Sequence, residues 1–237
     1  MILSFYKFIA IHDTLSLKIR LYKICLGLKC RGTVIIAPEG VNLNLEGEDS
    51  KIYQLQADLK KIDVFRDVEF RLFSTKQNAF DKLKIKIKKE IITAKITNLD
   101  VSKNTGEYLS PREWNQLTSL KEVMVIDARN FYEYAMGTFL GSVNTKIQNF
   151  SELKKWLDSH LKSVDKDKKI AMFCTGGIRC EKSTAYLKQQ GFQNVYHLKG
   201  GILSYIDCNH KLSRWIGKCF LFDNRITYNK SEIIGPR

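Results

Sequence analysis

Residues 173–183, FCTGGIRCEKS, contain the side chains of this chain that are best suited to covalent chemistry. Cys174 opens a glycine-rich turn, Arg179 closes it, and a second thiol follows at Cys180. Between them lie Thr175, Gly176, Gly177 and Ile178. A cysteine in such a turn becomes nucleophilic when backbone N–H groups and a nearby cation favour its thiolate. The segment could therefore transfer sulfur, hydrolyse a phosphate ester or bind a metal.

The residues on either side of the turn predict that it joins a buried strand to a helix. KKIAMFC is apolar and ends at Cys174, while CEKSTAYLKQQG predicts a helix that ends at Gly191. Gly176 and Gly177 allow tight curvature, including positive φ. N–H groups at the beginning of the helix can then surround an anion and lower the pKa of Cys174.

The length of the turn distinguishes between these chemistries. Four residues separate Cys174 from Arg179, and cysteine phosphatases use a longer turn that makes room for a phosphate. The shorter turn suits a sulfur atom carried on the cysteine as a persulfide. Cys180 could act as a resolving thiol for Cys174 or could pack as a small residue. No second pair of ligands stands at zinc spacing, so no metal site is predicted.

Residues 119–214, which contain the turn, predict an alternation of strands and helices. EVMVIDAR, KKIAMFC and NVYHL are the predicted strands. The alternation is typical of a parallel sheet, whose functional loops lie at the carboxyl ends of its strands. Residues 96–118 are polar and contain turn residues, so they predict a linker. Within it, Ser110 can cap a short helix that begins at Pro111.

Residues 1–95 predict the order β-α-β-β-α-β, which is typical of a ferredoxin-like α+β domain. The apolar residues at helical spacing in the first predicted helix are Leu15, Ile19, Tyr22 and Leu26. Those of the second, which predict its inward stripe, are Ile52, Leu55, Leu59 and Ile62. This fold supports many functions and identifies none of them.

A strand rich in lysine follows in DKLKIKIKKE. Its basic residues, each separated from the next by an apolar one, are Lys82, Lys84, Lys86 and Lys88. In a strand this alternation gives one apolar face and one row of ammonium groups. The row is either a solvated edge that discourages aggregation or a surface for the phosphate groups of RNA.

Composition limits the class of protein. The net charge is +14, shared equally between residues 1–95 and the rest, which favours a polyanionic partner such as nucleic acid. Six unevenly spaced cysteines indicate reduced thiols in a cytoplasm. No apolar run approaches the roughly 20 residues that span a bilayer, so no membrane association is predicted.

The C-x-x-G-x-R turn after a buried strand resembles the active-site loop of rhodanese domains. VIDARNFYEYAMGTFLGSVN is similar to the opening of that domain. The matching positions are Asp127, Arg129, Glu133, Gly137 and Gly141. Thr138 and Ser142 stand where histidine and alanine are usual, and in the closing motif VYHLKGGILSY, Tyr205 replaces tryptophan. The resemblance covers about residues 119–214.

Over nearly its whole length the chain resembles the bacterial tRNA uridine hydroxylase family. The segments that carry this resemblance are LKCRGTVIIAPEGVNLNLEG, LKIKIKKEIIT, CTGGIRCEKS and GKCFLFDNRIT. It implies a ferredoxin-like (acylphosphatase-like) domain over residues 1–95, a rhodanese-like catalytic domain over 119–214 and a short extension over 215–237. Many members continue into a cysteine-rich tail, whose function we expect to be absent from this chain.

The resemblance also implies a reaction, the 5-hydroxylation of uridine at wobble position 34 of tRNA. Molecular oxygen is the implied co-substrate and Cys174 the implied essential residue. No bound cofactor is predicted, because the sequence contains no flavin or nicotinamide fingerprint and no iron-ligand cluster. Cys174 could attack uridine C6 as a thiolate, or a persulfide or oxidised sulfur on it could be the reactive species.

Two other functions stay open at the level of the sequence. One is a rhodanese-type sulfurtransferase that carries a persulfide on Cys174. The other is a module that binds RNA without turnover. In the favoured interpretation tRNA is the partner, the location is the cytoplasm, and no protein partner can be identified.

Overall fold

The computed structural model describes residues 1–75, 77–208 and 213–228 of the chain. They form two compact units. The first contains residues 1–92 and 222–225, and the second contains residues 93–221 together with the described residues from 226 onward. No helix in these described ranges combines the length and the apolar character needed to cross a membrane.

The first unit is a mixed sheet with two long helices. Its elements are β1 (Ile2–Phe8), α1 (Thr14–Gly27), β2 (Arg31–Ala37), β3 (Gly40–Glu46), α2 (Asp49–Lys60), a 3₁₀ turn (Asp63–Phe65), β4 (Arg71–Phe73) and β5 (Leu83–Ile87). The strand order is β4-β1-β3-β2-β5, in which β5 runs parallel to β2 and the other pairs are antiparallel. The predicted β-α-β-β-α-β order is confirmed, with β5 added at one edge.

Both long helices cover the same face of this sheet. The predicted inward residues Ile52, Leu55 and Leu59 of α2 are buried, and Ile62, just after the helix, is buried as well. The helix predicted at α1 is also confirmed, and its buried residues are Leu17, Leu21 and Cys25. The apolar residues at helical spacing that predicted it, Leu15, Ile19, Tyr22 and Leu26, are between 48% and 59% exposed. Helix α1 has apolar residues on two sides, and spacing alone cannot choose which side meets the sheet.

Strand β5 confirms the strand predicted from the lysine alternation, while both interpretations of its lysine row, a solvated edge and a surface for phosphates, stay open. It lies at the end of the sheet, where Leu83 and Ile85 pack against the core while Lys84 and Lys86 are exposed. Lys82 and Lys88, immediately outside the strand, are also exposed.

The second unit contains the predicted parallel sheet. Its elements are α3 (Val101–Asn104), β6 (Glu107–Leu109), α4 (Pro111–Thr118), β7 (Met124–Asp127), α5 (Phe131–Met136), β8 (Gly137–Phe139), β9 (Val143–Asn144), a 3₁₀ turn (Phe150–Glu152), α6 (Leu153–His160), β10 (Ile170–Phe173), α7 (Ile178–Gln189), β11 (Val195–Leu198), α8 (Gly201–Asp207), β12 (Trp215–Gly217), β13 (Cys219–Phe220) and β14 (Thr227–Tyr228). The main sheet has the order β6-β11-β10-β7-β9, and all its neighbouring strands are parallel.

Residues 96–118 are part of this unit, which corrects the prediction of a linker. Strand β6 pairs with β11, and Trp114 of α4 is fully buried against Phe139 and Phe173. The segment is polar because β6 is an edge strand whose side chains are largely exposed, so its composition conceals its place in the sheet. The predicted helix cap is confirmed, since Ser110 and Glu113 form a reciprocal capping box.

The second unit also extends past residue 214, the predicted end of the domain. Strand β12 pairs with β8, and the Lys218 N–H donates to the Met136 carbonyl at 2.9 Å. The two strands come so close together that each needs a glycine. A Cβ on Gly137 would lie 2.6 Å from the Lys218 oxygen, and a Cβ on Gly217 would lie 2.4 Å from the Met136 oxygen. Residues 229–237 of the predicted extension lie outside the described residues.

Candidate active site

Cys174 lies immediately after β10, at the carboxyl end of a central strand of the parallel sheet. The turn ends at Gly177, the N-cap of α7, whose φ of 103° favours glycine. The Gly177 N–H points at the Cys174 sulfur, with 3.2 Å between N and Sγ. Of the two glycines predicted to relax the turn, Gly177 has the positive φ and Gly176 does not.

The environment of Cys174 favours its thiolate even though the side chain is fully buried. Burial raises the pKa of the thiol, but a hydrogen bond from the Cys180 thiol, the charge of Arg179 and the N–H groups of Cys180 and Gly177 outweigh it. Together they lower the pKa of Cys174 from its ordinary value of 9.0 to about 6. The sulfur is therefore mostly ionised at neutral pH, as a nucleophile requires.

Arg179 supports the turn from inside. Its guanidinium donates to both oxygens of Glu133 at 2.6 and 2.8 Å and to the Thr175 hydroxyl at 3.0 Å. The Thr175 hydroxyl in turn donates to Glu133 at 3.1 Å. Burial raises the pKa of Glu133, but the Arg179 charge outweighs it and holds that pKa below its ordinary range. This geometry makes Arg179 a brace for the loop, and its positive charge also favours the thiolate of Cys174.

A second buried ion pair lies beside the first. The Arg129 side chain donates to Asp127 at 2.9 and 2.6 Å, and to the Gly137 carbonyl at 2.6 Å. Thr138, which stands where rhodaneses usually have histidine, donates to Asp127 at 3.0 Å. These contacts hold the ends of β7 and β8 together, as expected for a structural pair.

Helix α8 fixes the loop from the other side. The Ile202 N–H donates to the carbonyl of Cys174 at 3.0 Å, and the Leu203 N–H donates to that of Thr175 at 3.1 Å. Gly201 makes this approach possible, because a Cβ there would lie 2.5 Å from the Cys174 oxygen and its φ is +66°. The Gly200–Gly201 pair is visible in the sequence, but its contact with the Cys174 loop is not.

Cys180 lies in the first turn of α7, next to Cys174. It is fully buried, and burial together with its hydrogen bond to Cys174 raises its pKa well above the ordinary value. Cys180 is thus the protonated donor and Cys174 the ionised acceptor of the pair. None of the six cysteines forms a disulfide, and Cys208 is the exposed one.

The structure assigns the predicted residues to different units. Cys174, Thr175, Gly176, Gly177, Ile178, Arg179 and Cys180 form one continuous loop and helix start in the second unit. The four lysines around β5 belong to the first unit. Glu133 was noted only as a match to the rhodanese pattern, and its contact with Arg179 crosses 46 residues of sequence. Among the described residues, no group of three or more metal-ligating side chains is placed to hold an ion.

Comparison with known proteins agrees with both units. Residues 1–91 match the UPF0176 acylphosphatase like domain, and residues 110–208 match the rhodanese-like domain. A solved rhodanese-related protein from Thermoplasma volcanium is 27% identical, with a TM-score of 0.36, over 45% of this chain and 97% of that one.

Two curated relatives are similar over almost the whole chain. The tRNA uridine(34) hydroxylase of Legionella pneumophila (strain Paris) is 45% identical over 97% of this chain and 90% of the relative. That of Wolbachia pipientis wMel is 41% identical over 97% of this chain and 83% of the relative. With this identity over both domains, the chain belongs to the tRNA uridine(34) hydroxylase family.

Proposed function

We propose that this chain is a tRNA-modifying oxidoreductase that hydroxylates carbon 5 of the uridine at wobble position 34 of tRNA, with molecular oxygen as co-substrate. The observation that carries the proposal is the similarity, over 97% of the chain, to proteins named tRNA uridine(34) hydroxylase. The reaction depends on Cys174, and it takes place in the cytoplasm, where the tRNA substrate is found.

The geometry around Cys174 supports two chemical routes. A thiolate can add to uridine C6, which makes C5 electron-rich and reactive toward oxygen. One oxygen atom then stays on C5, an external two-electron reductant reduces the other to water, and loss of the C5 proton expels the thiolate and restores the C5–C6 double bond. Alternatively, a persulfide or oxidised sulfur on Cys174 is the reactive species. The N–H of Gly177 and the charge of Arg179 would stabilise the sulfur anion in either route. Mass spectrometry of protein trapped during turnover distinguishes them: an RNA adduct on Cys174 supports the first, an additional sulfur supports the second, and neither would contradict both.

Charge supports tRNA as the substrate. The chain has a net charge of +14, and the exposed lysines of β5 offer ammonium groups at an accessible edge of the first unit. Lysine side chains that neutralise phosphates supply much of the affinity of proteins for nucleic acid.

The test is nucleoside mass spectrometry of tRNA from a host that lacks its own hydroxylases and expresses this chain. Growth under ¹⁸O-labelled oxygen should give 5-hydroxyuridine that carries the label. Unlabelled 5-hydroxyuridine would contradict oxygen as co-substrate, and its absence would contradict the function.

A rhodanese-type sulfurtransferase is the second candidate, which the rhodanese-like domain over residues 110–208 favours. Purified protein incubated with thiosulfate and cyanide would then release thiocyanate at a rate that depends on Cys174. Thiocyanate release without 5-hydroxyuridine in the host would favour this candidate. Neither product, with tRNA binding retained, would indicate an RNA-binding module without turnover.

A further inference from the structure

The sheet of the first unit has two different faces. Leu3, Phe5, Val34 and Leu43 belong to the core of the unit and point to the face that α1 and α2 cover, and the partly buried Ile85 packs against this core. Their neighbours along each strand point to the opposite face. Neither of the two long helices described for this unit packs on that opposite face.

The strand register arranges polar and aromatic side chains on the opposite face in rows. Ser4 pairs with Asn44, which pairs with Thr33, which pairs with Lys84. The next row contains Tyr6, Asn42, Ile35 and Lys86. Paired residues project from the same side of a sheet, so each row crosses four strands. We call Tyr6, Phe8, Asn42, Asn44, Lys84 and Lys86 the outer face.

These residue types are those that bind an unpaired RNA strand. The rings of Tyr6 and Phe8 lie 6.2 Å apart between centroids on a single strand, and aromatic rings on a sheet stack with bases. Asn42 and Asn44 hold the rows together: the Ser4 hydroxyl donates to the Asn44 oxygen at 2.7 Å, and the Asn44 amide donates to the Asn42 oxygen at 3.4 Å. The Asn42 amide donates to the Ile91 carbonyl at 3.5 Å, so the rings and the lysines are the groups that this face offers to RNA. Lys84 and Lys86 are exposed at the edge of the sheet, where ammonium groups can neutralise phosphates.

The charge of the sheet agrees with a polyanionic occupant. The five strands contain five basic residues, namely Lys7, Arg31, Arg71, Lys84 and Lys86, and a single acidic one, Glu46. Glu46 is 4% exposed and accepts the N–H groups of Ala79 and Phe80 at 2.9 and 3.1 Å. Its carboxylate is therefore satisfied internally and does not oppose a phosphate at the surface.

We propose that the outer face binds the single-stranded anticodon loop of the tRNA, with bases stacked on Tyr6 and Phe8 and phosphates at Lys84 and Lys86. The inference rests on the proposed function for the identity of the RNA. It assigns to the first unit the recognition of unpaired nucleotides, in addition to the chemistry of the second.

The test measures the affinity of the full chain for an anticodon stem-loop by fluorescence anisotropy at several salt concentrations. One variant carries Lys84→Glu and Lys86→Glu, and a second carries Tyr6→Leu and Phe8→Leu. The matched control carries Lys51→Glu and Lys60→Glu on α2, the covered side of the sheet, where both lysines are exposed. Thermal unfolding of each variant verifies that it is folded.

Both outer-face variants should bind at least tenfold more weakly, while the control changes affinity less than about twofold. The lysine variant should also reduce the slope of log K against log salt by about 1.4, since each single-strand phosphate contact contributes about 0.7. Photocrosslinks from 4-thiouridine in the loop should map to β1 or β5.

Three outcomes of these measurements decide whether the outer face binds the anticodon loop. Unchanged affinity of folded outer-face variants would overturn the inference. Weaker binding in the lysine variant alone would also overturn the inference. That result would indicate contacts with phosphates only, which double-stranded stems also offer, and no stacking of unpaired bases on Tyr6 and Phe8. Loss of binding in both variants, with no 5-hydroxyuridine made by the intact chain in the host, would support this surface and contradict the proposed reaction, so the two failures are distinguishable.

Discussion

The ionisation of Cys174 depends on a few charges and hydrogen bonds around one buried sulfur atom. Burial raises the pKa of Cys174, while the Cys180 thiol, the charge of Arg179 and two N–H groups lower it. The lowering effects are the larger, so the thiolate is favoured. Arg179 is itself held by Glu133, which is fully buried, so the electrostatics of the site depend on a carboxylate that lies 46 residues before Arg179 in the chain.

The first prediction concerns the titration of this thiolate. Its ultraviolet absorbance, taken as the difference between the intact chain and Cys174→Ser, should appear with a midpoint at about pH 6. Because the charged form is the base, a rate that requires the thiolate should rise with pH through this midpoint and then level off. A midpoint near the ordinary value of 9.0 would contradict the account.

The second prediction separates the donor role of Cys180 from packing. Cys180→Ala removes the hydrogen bond to the thiolate, which is worth about 1.5–3 kcal/mol and should raise the Cys174 pKa by one to two units, at about 1.36 kcal/mol per unit. Cys180→Ser keeps a donor and should leave the pKa closer to that of the intact chain. The same difference titration measures both variants, and equal pKa values in the two would show that Cys180 only packs.

The third prediction concerns the buried brace. Glu133→Gln leaves the Arg179 charge buried without its partner, which should lower the free energy of unfolding by about 3–5 kcal/mol. Glu122→Gln is the control, because Glu122 is exposed and its substitution should change stability by no more than about 0.5 kcal/mol. Urea denaturation measures both, and similar stabilities would indicate that the ion pair does not support the loop.

At the scale of elements, the active loop is held between two helices. Helix α7 and its N-cap Gly177 supply the N–H groups that face the sulfur, and N–H groups at the start of α8 donate to the carbonyls of Cys174 and Thr175. Strand β10 fixes the point at which the loop leaves the sheet. The position of the Cys174 sulfur is therefore determined by β10, α7 and α8 together.

The fourth prediction tests the approach of α8. Gly201→Ala places a methyl group 2.5 Å from the Cys174 carbonyl oxygen at a φ that disfavours alanine, so the loop must move. We expect the host to lose 5-hydroxyuridine, since a displaced thiol cannot react efficiently. Gly27→Ala, where nothing lies within 4 Å of the new methyl group, should retain full activity. Normal activity of Gly201→Ala would show that the close approach of α8 does not position the Cys174 loop.

The sequence predicts these elements better than it predicts their partners. Strong apolar runs locate β10 and β11, and the Ser110 cap locates α4, because these signals are local. The inward side of α1 and the membership of residues 107–109 in the sheet depend on contacts far along the chain. The Cys174 turn could be recognised from its residues, whereas the bond from Glu133 to Arg179 required the fold.

At the scale of the whole molecule, the positive charge is spread over both units, and each contributes to the attraction of a polyanion.

The fifth prediction is that tRNA binding weakens steeply with salt, by about a thousandfold between 50 and 200 mM if about six phosphates are contacted. Filter binding or anisotropy measures this, with Cys174→Ser expected to bind as tightly as the intact chain. Affinity independent of salt would contradict electrostatic recognition of tRNA.

The central claim is that Cys174 carries out the hydroxylation of tRNA uridine. The most direct test is nucleoside mass spectrometry of tRNA from a host without its own hydroxylases, expressing the intact chain, Cys174→Ser or Cys208→Ser. Cys208 is the exposed cysteine outside the site, so its variant controls for the loss of a thiol. We predict 5-hydroxyuridine with the intact chain and with Cys208→Ser, and none with Cys174→Ser. The same amount of 5-hydroxyuridine with Cys174→Ser as with the intact chain would contradict the account.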